Sequence, residues 1–354
     1  MKIGARIRSD WLTEGDEHLR FLRQIGVEGV GFPLDMLNGY RETGRVDKGD
    51  IERLVQRLGA LGFTTEVATA PGPMCRDVLI GRPNAPEQID KLCQIAQMLG
   101  DVGIPVLGVH CFYGATLLRR APARSGRRPA ASAPGHPTFD MALTLADQPE
   151  PGWTLRHGRG GYAHPGFQLG PFRNTSFDPE ARFTADQLWA NLLNMYSRLV
   201  PAAVKAGVKI AQHGNDPPLT QACGNPQILC TFADFDRLFT EVPSPNNVMT
   251  FCVGTRYESG EDILQGIERF GRQVKIGYVH LRNVRGTLPR TGGYEEVFID
   301  DGDVNLRSVL QALKRVGYDG AVDFDHVMQV SGDSPLARDY VAFAVGYIRG
   351  LLSE

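Results

Sequence analysis

VKIAQHGNDPP (208–218) is a short apolar run that ends on a histidine and passes at once into a polar turn closed by two prolines. It reads as a strand, and ADQLWANLLNMYSRLVPAAVKAG (185–207) reads as the helix that feeds it through Gly207. Three later runs repeat the pattern: VMTFC (248–252), IGYVH (276–280) and AVDFD (321–325). Each is followed by polar or Gly-rich sequence and then by a helix-like stretch. His213, Cys252, His280 and Asp325 therefore stand at the trailing ends of four strands, and in a parallel barrel such ends converge on one mouth.

The N-terminal half carries the same alternation. KIGARI (2–7), VEGVGF (27–32), GFTTEVA (62–68) and IPVLGVHCF (104–112) read as strands, with helices near 18–25, 48–61 and 86–99. Further helices are expected near 234–239, 260–270 and 305–316, and ARDYVAFAVGYIRGLL (337–352) closes the ring. Eight strands with intervening helices predict an α/β fold, a single (β/α)8 TIM barrel over 1–354, rather than a doubly wound sheet. No GxGxxG follows the first strand, as a dinucleotide fold would need. The regularity breaks at 113–184, rich in Gly, Pro, Arg and Ser, with GRRPAASAPGHP and RHGRGGYAHPG and no sustained helical or strand period. This long insertion after the fourth strand is expected to be either disordered or a loop that caps the mouth.

Composition limits what such a site serves. With 354 residues, 42% hydrophobic and 22% charged, the chain can bury a core for one large barrel or two ordinary domains. A net charge of −2, with no Lys/Arg cluster interleaved with aromatics, argues against a nucleic-acid partner. The opening MKIGARIRSDWLTEGDEH is charged from its second residue, unlike a secretory signal, and no run approaches the ~18 apolar residues of a membrane helix. Six cysteines (75, 93, 111, 223, 230, 252) without CxxC pairs give neither a zinc ribbon nor a disulfide scaffold, so a reduced, cytoplasmic setting is the expectation.

Imidazole, thiolate and carboxylate all bind a divalent transition ion, and the mixture suits Zn, Mn, Fe or Co better than Mg or Ca. A lone strand-end histidine is more often a hydrogen-bonded wall residue. Four suitable ligands at four successive strand ends are what scattered core residues rarely produce. Their neighbours extend the case: Asp216 could orient a ligand imidazole or accept a substrate hydroxyl, or simply close an Asx turn. Arg282, two residues beyond His280, could clamp a carboxylate bidentately or pair with a nearby Asp. His326 places a titratable imidazole beside Asp325, suited to proton transfer near neutral pH.

HGNDPP (213–218), TFCVGT (250–255), VHLRNV (279–284), YEEVFIDDGDVN (294–305) and DFDHV (323–327) resemble, in order and spacing, the successive signatures of the mannonate dehydratase family within the xylose-isomerase-like barrels. The likeness covers about 190–330, and LRQIGVEGV (22–30) is also similar. The resemblance implies that His213, Cys252, His280 and Asp325 hold one divalent ion, manganese, with iron, cobalt or zinc as other suitable ions. It implies that His326 is an acid/base residue and that Arg282 and Asn283 belong to the substrate pocket, in which Asn215, Asp216 and His110 are also counted. The implied reaction is loss of water from D-mannonate, a small sugar acid, to give 2-keto-3-deoxygluconate.

The chain departs from the family pattern at several points. Gly214 and Asn215 replace Pro and Asp, Phe324 and Val327 replace Pro and Gly, His110-Cys111-Phe112 replaces Tyr-Asn-Phe, and Ile299 replaces a common His. The family's Gly-Tyr segment is replaced by SGDSPLARDY (331–340), where only a shifted register would use Tyr340. Two other readings stand beside the dehydratase: a sugar isomerase or epimerase, since the same barrel and metal serve enediolate chemistry, and a non-catalytic sugar-binding barrel. Arg282 favours an acid substrate over a neutral sugar. A homodimer is expected from the exposed helices of such barrels.

Overall fold

The computed structural model describes residues 1–12, 15–70, 73–110, 153–157, 159, 163–169, 183–222, 225–328 and 330–353. Four parallel strands open the chain, β1 (Lys2–Arg6), β2 (Gly29–Pro33), β3 (Thr64–Ala70) and β4 (Val106–Val109). β5 (Trp153–His157) and β6 (Ala163–Gln168) then pair antiparallel outside the ring. β7 (Lys209–His213) returns to it, β8 (Gln221–Ala222) and β9 (Asn225–Pro226) pair in the loop beyond, and β10 (Asn247–Cys252) and β11 (Ile276–His280) continue the ring. After β12 (Val284–Arg285) and β13 (Gly293–Glu296), β14 (Ala321–Asp323) closes the barrel against β1, pairing Lys2 with Ala321 and Gly4 with Asp323. All eight strands expected from the sequence form this closed parallel barrel, in chain order.

Strand alternation sets the interior in layers, because every second side chain points inward. Val67, Val106, Ala211, Val248, Tyr278 and Ala321 make one buried apolar layer. Two residues further along the same strands come Thr69, Gly108, His213, Thr250, His280 and Asp323, so the interior turns polar toward the strand ends. Gly31 makes room for this arrangement: a Cβ there would press on Val67 and come within 3.5 Å of the Tyr278 hydroxyl.

The helices follow their sequence signals. The one feeding β7 spans Ala185–Ala206, begins with a Thr184/Gln187 capping box and ends at Gly207 with φ 70°, a left-handed turn that glycine adopts without a Cβ penalty. Such a cap contributes about 1 kcal/mol to holding the helix start, and hence the entry into β7. The helix Ala85–Asp101 packs beside it.

The insertion departs from expectation. Within 113–184, where no strand period was expected, β5 and β6 form a hairpin, and β6 pairs with β13 through Tyr294 and Phe167 to give the four-stranded sheet β12-β13-β6-β5. Pro165 and Gly166 inside β6 erase the alternation that betrays a strand, although the GRGG between the two runs is a turn signal. Apart from 153–157, 159, 163–169 and 183–184, the segment 113–184 lies outside the described residues, as do Cys111 and Cys223. Among the described residues no helix is long and apolar enough to cross a membrane.

Candidate active site at the barrel mouth

β7, β10 and β11 are adjacent in the ring, so their last residues meet. One donor atom from each of His213, Cys252 and His280 lies within 4.8 Å of the others, and all three side chains are buried. Burial pushes His213 down to about 4 and also lowers His280, so both imidazoles carry the lone pair a metal requires. Burial pushes the Cys252 thiol up, but the Arg282 charge and the hydrogen bond with His280 outweigh it and leave it below its ordinary value. Thr255 donates to Cys252 Sγ from its backbone N–H at 3.5 Å and its hydroxyl at 3.1 Å. His280 Nδ1 is buried and has no hydrogen-bond partner among the described residues. A buried His-Cys-His set with a stabilised thiolate and an orphaned ring nitrogen fits a divalent transition ion.

The fourth expected ligand stands just outside that group. Asp325 Oδ2 is 3.6 Å from His280 Nδ1 and 3.1 Å from His326 Nε2, while Oδ1 takes a 2.5 Å contact from Arg6 Nη2. Asp325 also has φ 58°, a left-handed conformation uncommon outside glycine, held by its N–H donating to Asp323 Oδ1 at 2.7 Å. Asp323 itself is fully buried, accepts from the Tyr278 hydroxyl at 3.2 Å, and is pushed up to about 6 by burial against the opposing pull of Arg6.

His326 lies between two carboxylates: Nδ1 is 2.7 Å from Glu296 Oε2 and Nε2 faces Asp325. His110, just after β4, lies with its ring 4.7 Å from that of His213 and tilted to it, and is held well below its ordinary value, by burial first and the His213 and Arg6 charges next. These residues share the mouth with the donor trio.

Arg282 and Asn283 are placed differently from their expected use. Arg282 is 2% exposed; Nη1 contacts Glu258 Oε1 at 2.5 Å, and Nη2 contacts Asp216 Oδ2 at 3.1 Å and the Thr255 hydroxyl at 2.9 Å. Its fork holds the protein carboxylates of Glu258 and Asp216, the internal pairing that stood as the alternative to a substrate clamp. Glu258, fully buried, is pushed up to about 8 by that burial against the opposing pull of Arg282. The Asn283 amide donates to the carbonyls of Ile299 and Val304 at 3.0 and 3.1 Å and accepts from the N–H groups of Val284 and Val304. Asn283 therefore pins the 299–304 loop instead of facing a ligand. Asn215 donates to Gln227 Oε1 at 3.1 Å, again inside the protein, and Asp216 precedes a cis proline.

Two departures from the family pattern have local causes. A Cβ at Gly214 would collide with Arg256 Nη2, whose guanidinium reaches back to the Cys230 carbonyl at 2.8 Å. Phe324 packs edge-on against Tyr340, which also meets Phe298, so Tyr340 belongs to the core away from the donor trio.

Sequence reasoning missed Arg6, Glu258 and Glu296. Glu296 lies in the quoted YEEVFIDDGDVN, where Tyr294 and Glu296 share one face of β13 by alternation. Arg6 ends β1 as His213, Cys252 and His280 end their strands, but the run read from the sequence, KIGARI, ends one residue later at Ile7.

A closed parallel barrel of eight strands whose mouth gathers these donors is a TIM-type barrel with its candidate site at the usual end. Residues 1–353 match the family model described as D-mannonate dehydratase (UxuA), and the chain belongs to that family of hydro-lyases, the sugar-acid dehydratases. Mannonate dehydratase 2 of Halalkalibacterium halodurans is 24% identical over 343 residues, covering 93% of this chain and 92% of that protein. The crystal structure of mannonate dehydratase from Streptococcus suis serotype2 superposes with a TM-score of 0.76 at 22% identity, covering 99% of this chain and 92% of that one. A structure of L-ribulose 3-epimerase shares the fold at TM-score 0.61 and 16% identity, covering 99% of this chain and 94% of that one.

Proposed function

We propose that this protein removes water from D-mannonate to give 2-keto-3-deoxy-D-gluconate, with one divalent ion, manganese, held by His213, Cys252, His280 and Asp325. The observation that carries the reading is the place of His326, a titratable ring adjoining the candidate ligands and held from behind by Glu296. The proton leaves C2, the hydroxyl leaves C3 as water, and the enol formed relaxes to the 2-keto acid. When bound, the ion supplies Lewis-acid stabilisation of the negative charge that develops on substrate oxygens. In this reading the Nδ1 N–H of His326 donates a hydrogen bond to Glu296 Oε2, which leaves Nε2 as the atom that takes up and returns a proton. Arg282 holds Glu258 and Asp216 in place, and its charge favours the thiolate form of Cys252. β13 belongs to the four-stranded sheet outside the barrel, so Glu296 reaches His326 from outside the ring.

The test is incubation of the manganese-loaded protein with D-mannonate, following keto-deoxy acid and isomerised sugar acids together. Keto-deoxy product is the expected result. Isomerised acid without it would move the epimerase reading to the front, and no conversion with metal bound would reject D-mannonate as the substrate.

A further inference from the structure

Two guanidinium groups approach the Asp325 carboxylate, and they differ in what they already hold. Arg282 is 2% exposed and both its terminal nitrogens are spent on Glu258, Asp216 and Thr255. Arg6 ends β1 on the inward face, its side chain is 16% exposed, and it makes one hydrogen bond, from Nη2 to Asp325 Oδ1. The other N–H groups of its fork have no hydrogen-bond partner among the described residues. A guanidinium presents five donors in a rigid plane, so most of this one is left for a ligand.

Its position suits a substrate group. Asp325 Oδ2, the other oxygen of the carboxylate Arg6 touches, lies 3.1 Å from His326 Nε2 and 3.6 Å from His280 Nδ1. The Arg6 charge also acts on His110, just after β4. The open edge of the fork is thus inside the ring of strand ends, one carboxylate away from both the acid/base ring and the donor trio. A planar anion with two oxygens complements a guanidinium edge, whereas a hydroxyl uses one donor and leaves its neighbour unpaired.

We propose that Arg6 is the specificity-determining residue of this site, its open guanidinium edge taking the carboxylate of the sugar acid. This rests on the sugar-acid reading above and assigns to Arg6 the carboxylate recognition first expected of Arg282. Arg6 then distinguishes an aldonate from a neutral sugar or polyol of the same configuration.

The experiment is equilibrium binding of D-mannonate and of uncharged D-mannitol to the metal-loaded wild type, Arg6→Met and Arg6→Lys, with metal content measured on each. In Arg6→Met, D-mannonate affinity falls roughly 10–100-fold, the loss of hydrogen bonds to a charged group, while mannitol binding and metal content hold. Arg6→Lys keeps the counter-charge to Asp325 and loses the fork, so it folds if the Met variant does not, and its mannonate affinity falls about 10-fold. Wild-type mannonate affinity in both variants overturns the proposal, as does a wild type that binds mannonate no better than mannitol. Arg6-dependent binding of mannonate without keto-deoxy product would leave this inference standing and reject the dehydration of D-mannonate.

Discussion

Glu296 Oε2 lies 2.7 Å from His326 Nδ1, joining a strand of the outer four-stranded sheet to the loop that follows the last barrel strand. Both groups are buried, Glu296 at 1% and His326 at 3% exposure, so water does not dilute the contact. A carboxylate this close to Nδ1 favours the proton on that nitrogen, and under the proposed function it thereby orients Nε2 for proton transfer. A partner sheet built partly from the insertion thus sets the state of a residue in the barrel.

Glu296→Gln keeps the size and removes the charge behind the ring. Turnover should fall about 10–100-fold while KM and bound metal stay near wild type. His326→Asn should go further, retaining metal and losing turnover. Steady-state kinetics with metal analysis on the same preparations checks both; unchanged kcat in Glu296→Gln would remove it from the positioning role.

Cys252→Ala and His280→Ala each delete one of three donors that lie within 4.8 Å of one another. Metal affinity should drop by more than the ~10–100-fold that loss of a supporting partner costs, and activity should fall with it, while the barrel stays folded. Metal stoichiometry and circular dichroism measured together decide it. Full metal occupancy in both variants would sink the assignment of this trio.

The barrel was legible because each strand is a compact apolar run, and His213, Cys252 and His280 sit at the ends of theirs, where chain direction alone puts them at the mouth. His213, Cys252 and His280 needed no knowledge of distant partners. Arg282 and Asn283 did: Glu258 is 24 residues away from the former, and the carbonyls of Ile299 and Val304 lie 16 and 21 residues from the latter. A side chain's spacing from a ligand gives the face it occupies, and its partners decide what its donors hold. Arg6 was missed for the converse reason, since its partner Asp325 is 319 residues away and its own run ends one residue later at Ile7. β5 and β6 are short, and the strand that β6 pairs with beyond the hairpin is β13, more than 120 positions further along, which no local pattern announces.

His18 provides a test of the fold that is independent of the reaction. Its ring is fully buried, 4.5 Å from Trp11 and 5.4 Å from Phe21, with Arg338 Nε 3.5 Å from Nδ1. Burial, then the charges of Arg338 and Arg8, push it down to about 4. An unfolded histidine takes a proton near 6.5. Because the folded value is depressed, the stability tied to the neutral ring is fully present above about pH 6.5 and is lost as pH falls toward about 4. The loss should be on the order of 1–3 kcal/mol by pH 4.5. His18→Phe keeps the aromatic packing and cannot titrate, though it gives up the Arg338 contact, so it should lie below or near wild type at pH 7. Denaturant midpoints of the two proteins at pH 7 and pH 4.5 cancel every other acid-sensitive group common to both. The gap should move in favour of His18→Phe at the lower pH by that amount; an equal gap at both values would show that His18 is protonated in the folded protein or exchanges its proton without cost.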